Sequence, residues 1–161
     1  MNQRLLFMCG MVAPWWFVFI TILGVAIRLE YSYLANTISE LIAPNSPNKP
    51  FLYVLHTIFA VLLILIGIGL LLFFQGAKRF RRIGLVGATL FILMGCVSVT
   101  IATIFPQDPW GTTVTVTGEM HQLLSGAVGL QSLFSILLIG IWFIRTDSSP
   151  RFGVYSFVTI G

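Results

Sequence analysis

The chain has 161 residues, of which 57% are hydrophobic and only 9% charged, with a formal net charge of +4. A water-soluble domain of this length needs far more surface charge, and the mean hydropathy of +0.97 points the same way, so the composition excludes one. The two cysteines, Cys9 and Cys96, both fall in apolar runs; they make neither a disulfide framework nor a zinc motif and read as small packing residues.

A hydrocarbon core of about 30 Å takes roughly 20 apolar residues in helix, and the sequence supplies four such runs and the start of a fifth. The first is predicted over 7–27, with Pro14 in its first half followed by Trp15 and Trp16. It is too long for the apolar region of a signal peptide, and no small-residue cleavage site follows it. A polar loop over 28–50, rich in Asn, Ser and Pro, leads to a second helix over 51–74. A short basic loop over 75–82 joins it to a third helix over 83–105. The loop 106–117 precedes a fourth helix over 118–144, and the linker 145–151 precedes an apolar tail over 152–161. That tail reaches about 15 Å as helix, half a bilayer, and reads as the first part of a fifth span or, in the alternative, as a tail on the lipid surface. The expectation is an all-α polytopic transmembrane helical bundle, one transmembrane domain over 1–161.

Short loops rich in Lys and Arg stay cytoplasmic. Of the nine basic residues, Arg4, Lys78, Arg79, Arg81, Arg82, Arg145 and Arg151 fall on one side, and Arg28 and Lys49 on the other. The expected location is the cell membrane, multi-pass, with a cytoplasmic N-terminus and outward loops 28–50 and 106–117. The run Lys78, Arg79, Arg81 and Arg82 is placed to meet anionic lipid head groups; so short a loop has no reach for nucleic acid. The small residues Gly84, Ala88, Gly95, Ser98 and Ala102 in the third helix, and Ser125, Gly126, Gly129, Ser132 and Ser135 in the fourth, read as close-packing positions, with Gln131 as interhelical glue.

Chemically capable side chains collect on the outward side. Four of five carboxylates (Glu30, Glu40, Asp108 and Glu119, but not Asp147) and both histidines, His56 and His121, lie there. Ionisable groups at membrane depth are costly and by default point to function. His56 falls about 9 Å past Pro50 and His121 about 5 Å past Gly118 along their helices. Glu40, His56, Asp108 and His121 are therefore the candidate ligand-binding residues, expected to share one outward pocket. His121, Asp108 and Glu40 are candidates for catalysis, and His56, His121 and Asp108 for a divalent metal. The second nitrogen of His121 can be held by a carboxylate such as Asp108. Each residue also has a structural reading. Thr37-Ile38-Ser39-Glu40 fits a capping box, Asp108 a turn, and Glu119 the start of a helix dipole; either histidine fits a satisfied interface residue.

Three segments carry a family resemblance. Ile38-Ser39-Glu40-Leu41-Ile42-Ala43-Pro44 is similar to the Ile-Ser-Glu-Leu-Gly-Ala-Pro-type loop of the prokaryotic membrane family catalogued as domain of unknown function 998. Phe105-Pro106-Gln107-Asp108 resembles its Phe-Pro-x-Asp motif, and Gly118-Glu119-Met120-His121 its Gly-x-x-His element. Ile42 stands where the family usually has glycine. The resemblance implies six membrane helices, of which this chain holds four and the beginning of a fifth; it implies no activity.

Two functions remain in view: a protein that binds a lipid head group or small polar ligand, and a membrane-embedded hydrolase or lipid-modifying enzyme using His121 and Asp108, with or without a metal. A transporter ranks lower, because the predicted bundle interior offers mainly Ser and Gln131. The sequence carries no nucleophile motif, phosphate loop or dinucleotide fingerprint. The orientation is checkable directly: single cysteines placed in 28–50 or 106–117 should react with an impermeant thiol reagent in whole cells, and labelling only after lysis would reverse the topology.

Overall fold

The computed structural model of the chain describes residues 2–28, 31–32, 34–44, 46–109 and 111–159. Glu30, singled out from the sequence, and the last two residues of the predicted tail lie outside them. The described elements are all helical: α1 (Gln3–Ala26), a 3-10 turn (Ile38–Ile42), α2 (Lys49–Gln75), α3 (Arg81–Ile104), α4 (Val116–Arg145) and α5 (Pro150–Val158). Four of them, α1 to α4, are long and apolar enough to cross a membrane, and the architecture is that of a helical membrane bundle.

Local chemistry explains where the helices start and stop. α1 begins four residues before the apolar run because the Asn2 side chain accepts from the Arg4 amide at 3.1 Å, capping an otherwise orphan donor. Pro14 is accommodated inside the helix. Asn48 and Phe80, which precede α2 and α3, both take left-handed backbone conformations, with φ of 62° and 52°; each reverses the chain so that the next helix can return alongside. α4 starts at Val116, two residues before the predicted boundary. There the Thr115 hydroxyl accepts from the Gly118 amide at 3.1 Å.

Packing follows chain order. α1 packs on α2, α2 on α3, α3 on α4, and α4 on α5, while the 3-10 turn rests on α1 and α2. The helices approach through glycine. A methyl group at Gly84 would overlap the Phe74 ring, one at Gly67 would press on Ile92, and one at Gly87 on Ile139 and the Ser135 carbonyl. In lipid, where apolar surface gains nothing from leaving hydrocarbon, such close approach is the main source of helix association. Ser135 adds a buried bond across the α3–α4 seam, its hydroxyl donating to the Gly87 carbonyl at 2.8 Å.

One end of the bundle is cemented by aromatics. Phe74 and Trp142 meet edge to face with centroids 5.0 Å apart, and the Trp142 indole donates to the Arg79 carbonyl at 3.1 Å. The guanidinium groups of Arg79 and Arg145 both approach the Phe80 ring, 5.8 and 5.5 Å from its centroid. We call this the basic end and the opposite one the histidine end. The outside of the bundle is apolar. Along α1, Leu5, Met8, Val12, Trp15, Phe19 and Ile22 form one exposed stripe, a surface that a bilayer satisfies and water does not.

The glycine contacts make a sharp stability test. Gly84→Ala is expected to cost about 1–3 kcal/mol through overpacking against Phe74. Gly126→Ala, where nothing lies within 4 Å of the added carbon, should be neutral or stabilise by up to about 1 kcal/mol through helix propensity. Thermal melting of both variants in one detergent decides; equal melting temperatures would contradict the α2–α3 seam.

Candidate functional site

The histidine end holds a cavity of about 260 Å³, just under the roughly 300–1,000 Å³ typical of small-molecule sites. It lies among α1 to α4 beneath the 3-10 turn. Its apolar walls include Phe17 from α1, Phe59 from α2, Val99 from α3 and Val128 from α4, with Ile38 and Ile42 above. Its polar lining is His56 and Thr57 from α2, Ser98 from α3, His121 and Ser125 from α4, and Ser39 from the turn.

His121 is buried, with 4% of its surface exposed. Its Nδ1 lies 2.8 Å from the carbonyl oxygen of Phe105. A carbonyl only accepts, so Nδ1 carries the proton in this contact and the lone pair of the neutral ring resides on Nε2. The carbonyl is one that the C-terminus of α3 leaves without an intrahelical partner. His121 therefore closes the end of α3 and acquires a defined tautomer in the same bond. The partner that holds this ring is the main chain of Phe105 and not a carboxylate such as Asp108.

His56 sits seven residues into α2, about 10 Å along the helix. Its Nε2 is buried and has no hydrogen-bond partner. Buried polar nitrogens are nearly always paired; this one is not, although the residue itself lines the cavity. Two neighbouring hydroxyls have already placed their protons: Thr57 donates to the Tyr53 carbonyl at 2.9 Å and Ser98 to the Met94 carbonyl at 2.8 Å. Each keeps oxygen lone pairs for an incoming donor. These hydroxyls were not among the predicted site residues; Ser98 read as packing, and back-bonding Thr and Ser in helices carry no distinctive spacing.

The two predicted carboxylates are not among the residues that line the cavity, and local donors occupy both. Glu40 is 1% exposed. Its carboxylate accepts from the Thr37 amide at 3.0 Å, the Thr37 hydroxyl at 3.2 Å and the Asn36 side-chain amide at 2.7 Å. That is the capping-box geometry, and it fixes the 3-10 turn over the cavity. Arg28, just past the end of α1, donates to the main-chain carbonyl of Glu40. Asp108 accepts from the Thr115 amide at 2.8 Å and the Thr115 hydroxyl at 2.9 Å, and it packs so tightly on Gly118 that any side chain there would collide with its carboxylate. It fastens the second loop to the start of α4. Among the described residues, no three His, Cys, Asp or Glu side chains converge as a metal-binding group. The pair His56 and His121 shares a cavity; Asp108 does not complete it.

Fold and cavity together define a class: a helical membrane bundle with a histidine-lined pocket near one end. The chain belongs to the family described as Protein of unknown function (DUF998), which it matches over residues 11–161. Comparison with curated proteins and with solved structures gave no match.

Proposed function

We propose that this protein is a multi-pass protein of the cell membrane that binds a lipid head group or small polar ligand in the cavity beneath the 3-10 turn, using His56 and His121. The observation that carries this reading is the pairing of an unpartnered buried nitrogen, His56 Nε2, with a carbonyl-fixed His121 in the walls of one cavity. Leaving a polar atom buried and unbonded costs about 1–3 kcal/mol, and a ligand that bonds to it once the ring turns towards the cavity recovers that cost.

The distribution of basic residues supports a cytoplasmic N-terminus, which turns the cavity outward. Lys78, Arg79, Arg81 and Arg82 then meet anionic head groups of the inner leaflet, each cation near the surface contributing about 1 kcal/mol. An enzyme working through His121 and Asp108 together has less support, because Asp108 is bonded to Thr115 and does not line the cavity.

Native mass spectrometry of the protein purified in lipid nanodiscs tests the binding reading. The wild type is expected to retain a bound species through detergent exchange, and His56→Leu and His121→Leu to lose it. Ser132→Ala, outside the cavity, should keep it. The same adduct pattern in all four proteins would contradict the assignment.

A further inference from the structure

Access to the histidine cavity is unequal on its two sides. Towards the loops, the 3-10 turn forms a roof. Ile38, Ser39 and Ile42 line the cavity, while Leu41 is fully buried with its side chain filling the space that Gly24 leaves on α1. The Glu40 capping bonds and the Arg28 contact hold that roof in place. On the flank the situation is reversed. Ser125 lines the cavity and is also exposed on the outside of the bundle. Next to it, Gly126 and Gly129 have nothing within 4 Å of where a side chain would begin. α1 is not among the helices packed along α4, although Phe17 and Val128 both reach the cavity. Ser125 lies nine residues into α4, about 14 Å along a helix that is long and apolar enough to cross a membrane.

The lining sets the chemistry of what enters there. It contains no Asp, Glu, Lys or Arg, so a charged occupant would be buried without a counter-charge. It is rich in acceptors: His121 Nε2 by its tautomer, and the Thr57 and Ser98 oxygens, whose protons are already donated. A hydroxyl group fits this inventory, because it donates to His121 Nε2 and needs no counter-charge. We infer that the cavity takes the hydroxyl of an uncharged lipid, of the diacylglycerol or long-chain alcohol class, that enters sideways from the bilayer between α1 and α4 beside Ser125. This rests on the reading that the two histidines bind a polar group.

The test uses the full chain in phosphatidylcholine nanodiscs doped with a diacylglycerol that carries a diazirine in one acyl chain. Photolysis followed by peptide mass spectrometry is expected to place the label on the segments holding Phe17, Ser125 and Val128. Unlabelled oleyl alcohol should compete; glycerol, the soluble hydroxyl source, should not. Ser125→Trp, a large side chain at an exposed position, should lower labelling about tenfold, as should His121→Leu. Competition by glycerol with undiminished labelling of Ser125→Trp would overturn lateral lipid entry and leave the polar-group reading standing. Equal labelling of the wild type, Ser125→Trp and His121→Leu, with no competition from either alcohol, would overturn both. Equal labelling by a phosphatidylcholine bearing the same diazirine chain would reject the preference for a free hydroxyl.

Discussion

The contact between His121 Nδ1 and the Phe105 carbonyl, 2.8 Å long, links two requirements that a bilayer imposes. The last carbonyls of a membrane helix have no intrahelical donor and no bulk water near hydrocarbon. A histidine near the start of the next helix must be neutral or paired. One bond meets both needs: it ties the end of α3 to the start of α4 and leaves the imidazole with its lone pair on Nε2. An interhelical bond of this kind contributes roughly 0.6–2 kcal/mol in a membrane. Its larger consequence is chemical, since it decides which nitrogen the cavity meets.

Around that bond the scaffold is built by proximity along the chain. Each helix meets its sequence neighbour through glycines, with Gly67, Gly84 and Gly87 receiving side chains from the facing helix. A serial arrangement leaves room between non-neighbours at the histidine end, and the cavity occupies that room. The carboxylates of Glu40 and Asp108 act as fasteners for the loops beside it. Glu40 shapes the turn that roofs the cavity, and Asp108 anchors the loop that delivers His121. The acidic side chains and the histidines thus share an end of the bundle for different reasons: the carboxylates because loop amides need acceptors, the histidines because two helices turn them towards the same space.

Much of this was legible in the residues. Apolar runs long enough to span hydrocarbon located α1 to α4 to within a turn or so, and the family resemblance on Ile38–Pro44, Phe105–Asp108 and Gly118–His121 agrees with the match over residues 11–161. The capping box of Thr37 and Glu40 is a local spacing and could be read directly. The partner of Asp108 could not, because Thr115 is seven residues away and the bond depends on the path of the loop. The Phe105 carbonyl was invisible for a different reason: a main-chain acceptor leaves no mark in a side-chain pattern. Shared depth put His56 and His121 under one heading, and both line the cavity; it also drew in two carboxylates, whose competition between cavity and backbone only geometry resolves.

The account turns on the tautomer of His121. Solid-state or solution 15N spectroscopy of the histidine-labelled protein in bilayers or nanodiscs, with His56→Gln used to assign the two rings, reads it directly at neutral pH. The account predicts a protonated Nδ1 and an unprotonated, pyridine-like Nε2 for His121, with the Nδ1 signal correlated to the labelled Phe105 carbonyl. A ring protonated on Nε2, or an Nδ1 with no correlation to Phe105, would contradict it.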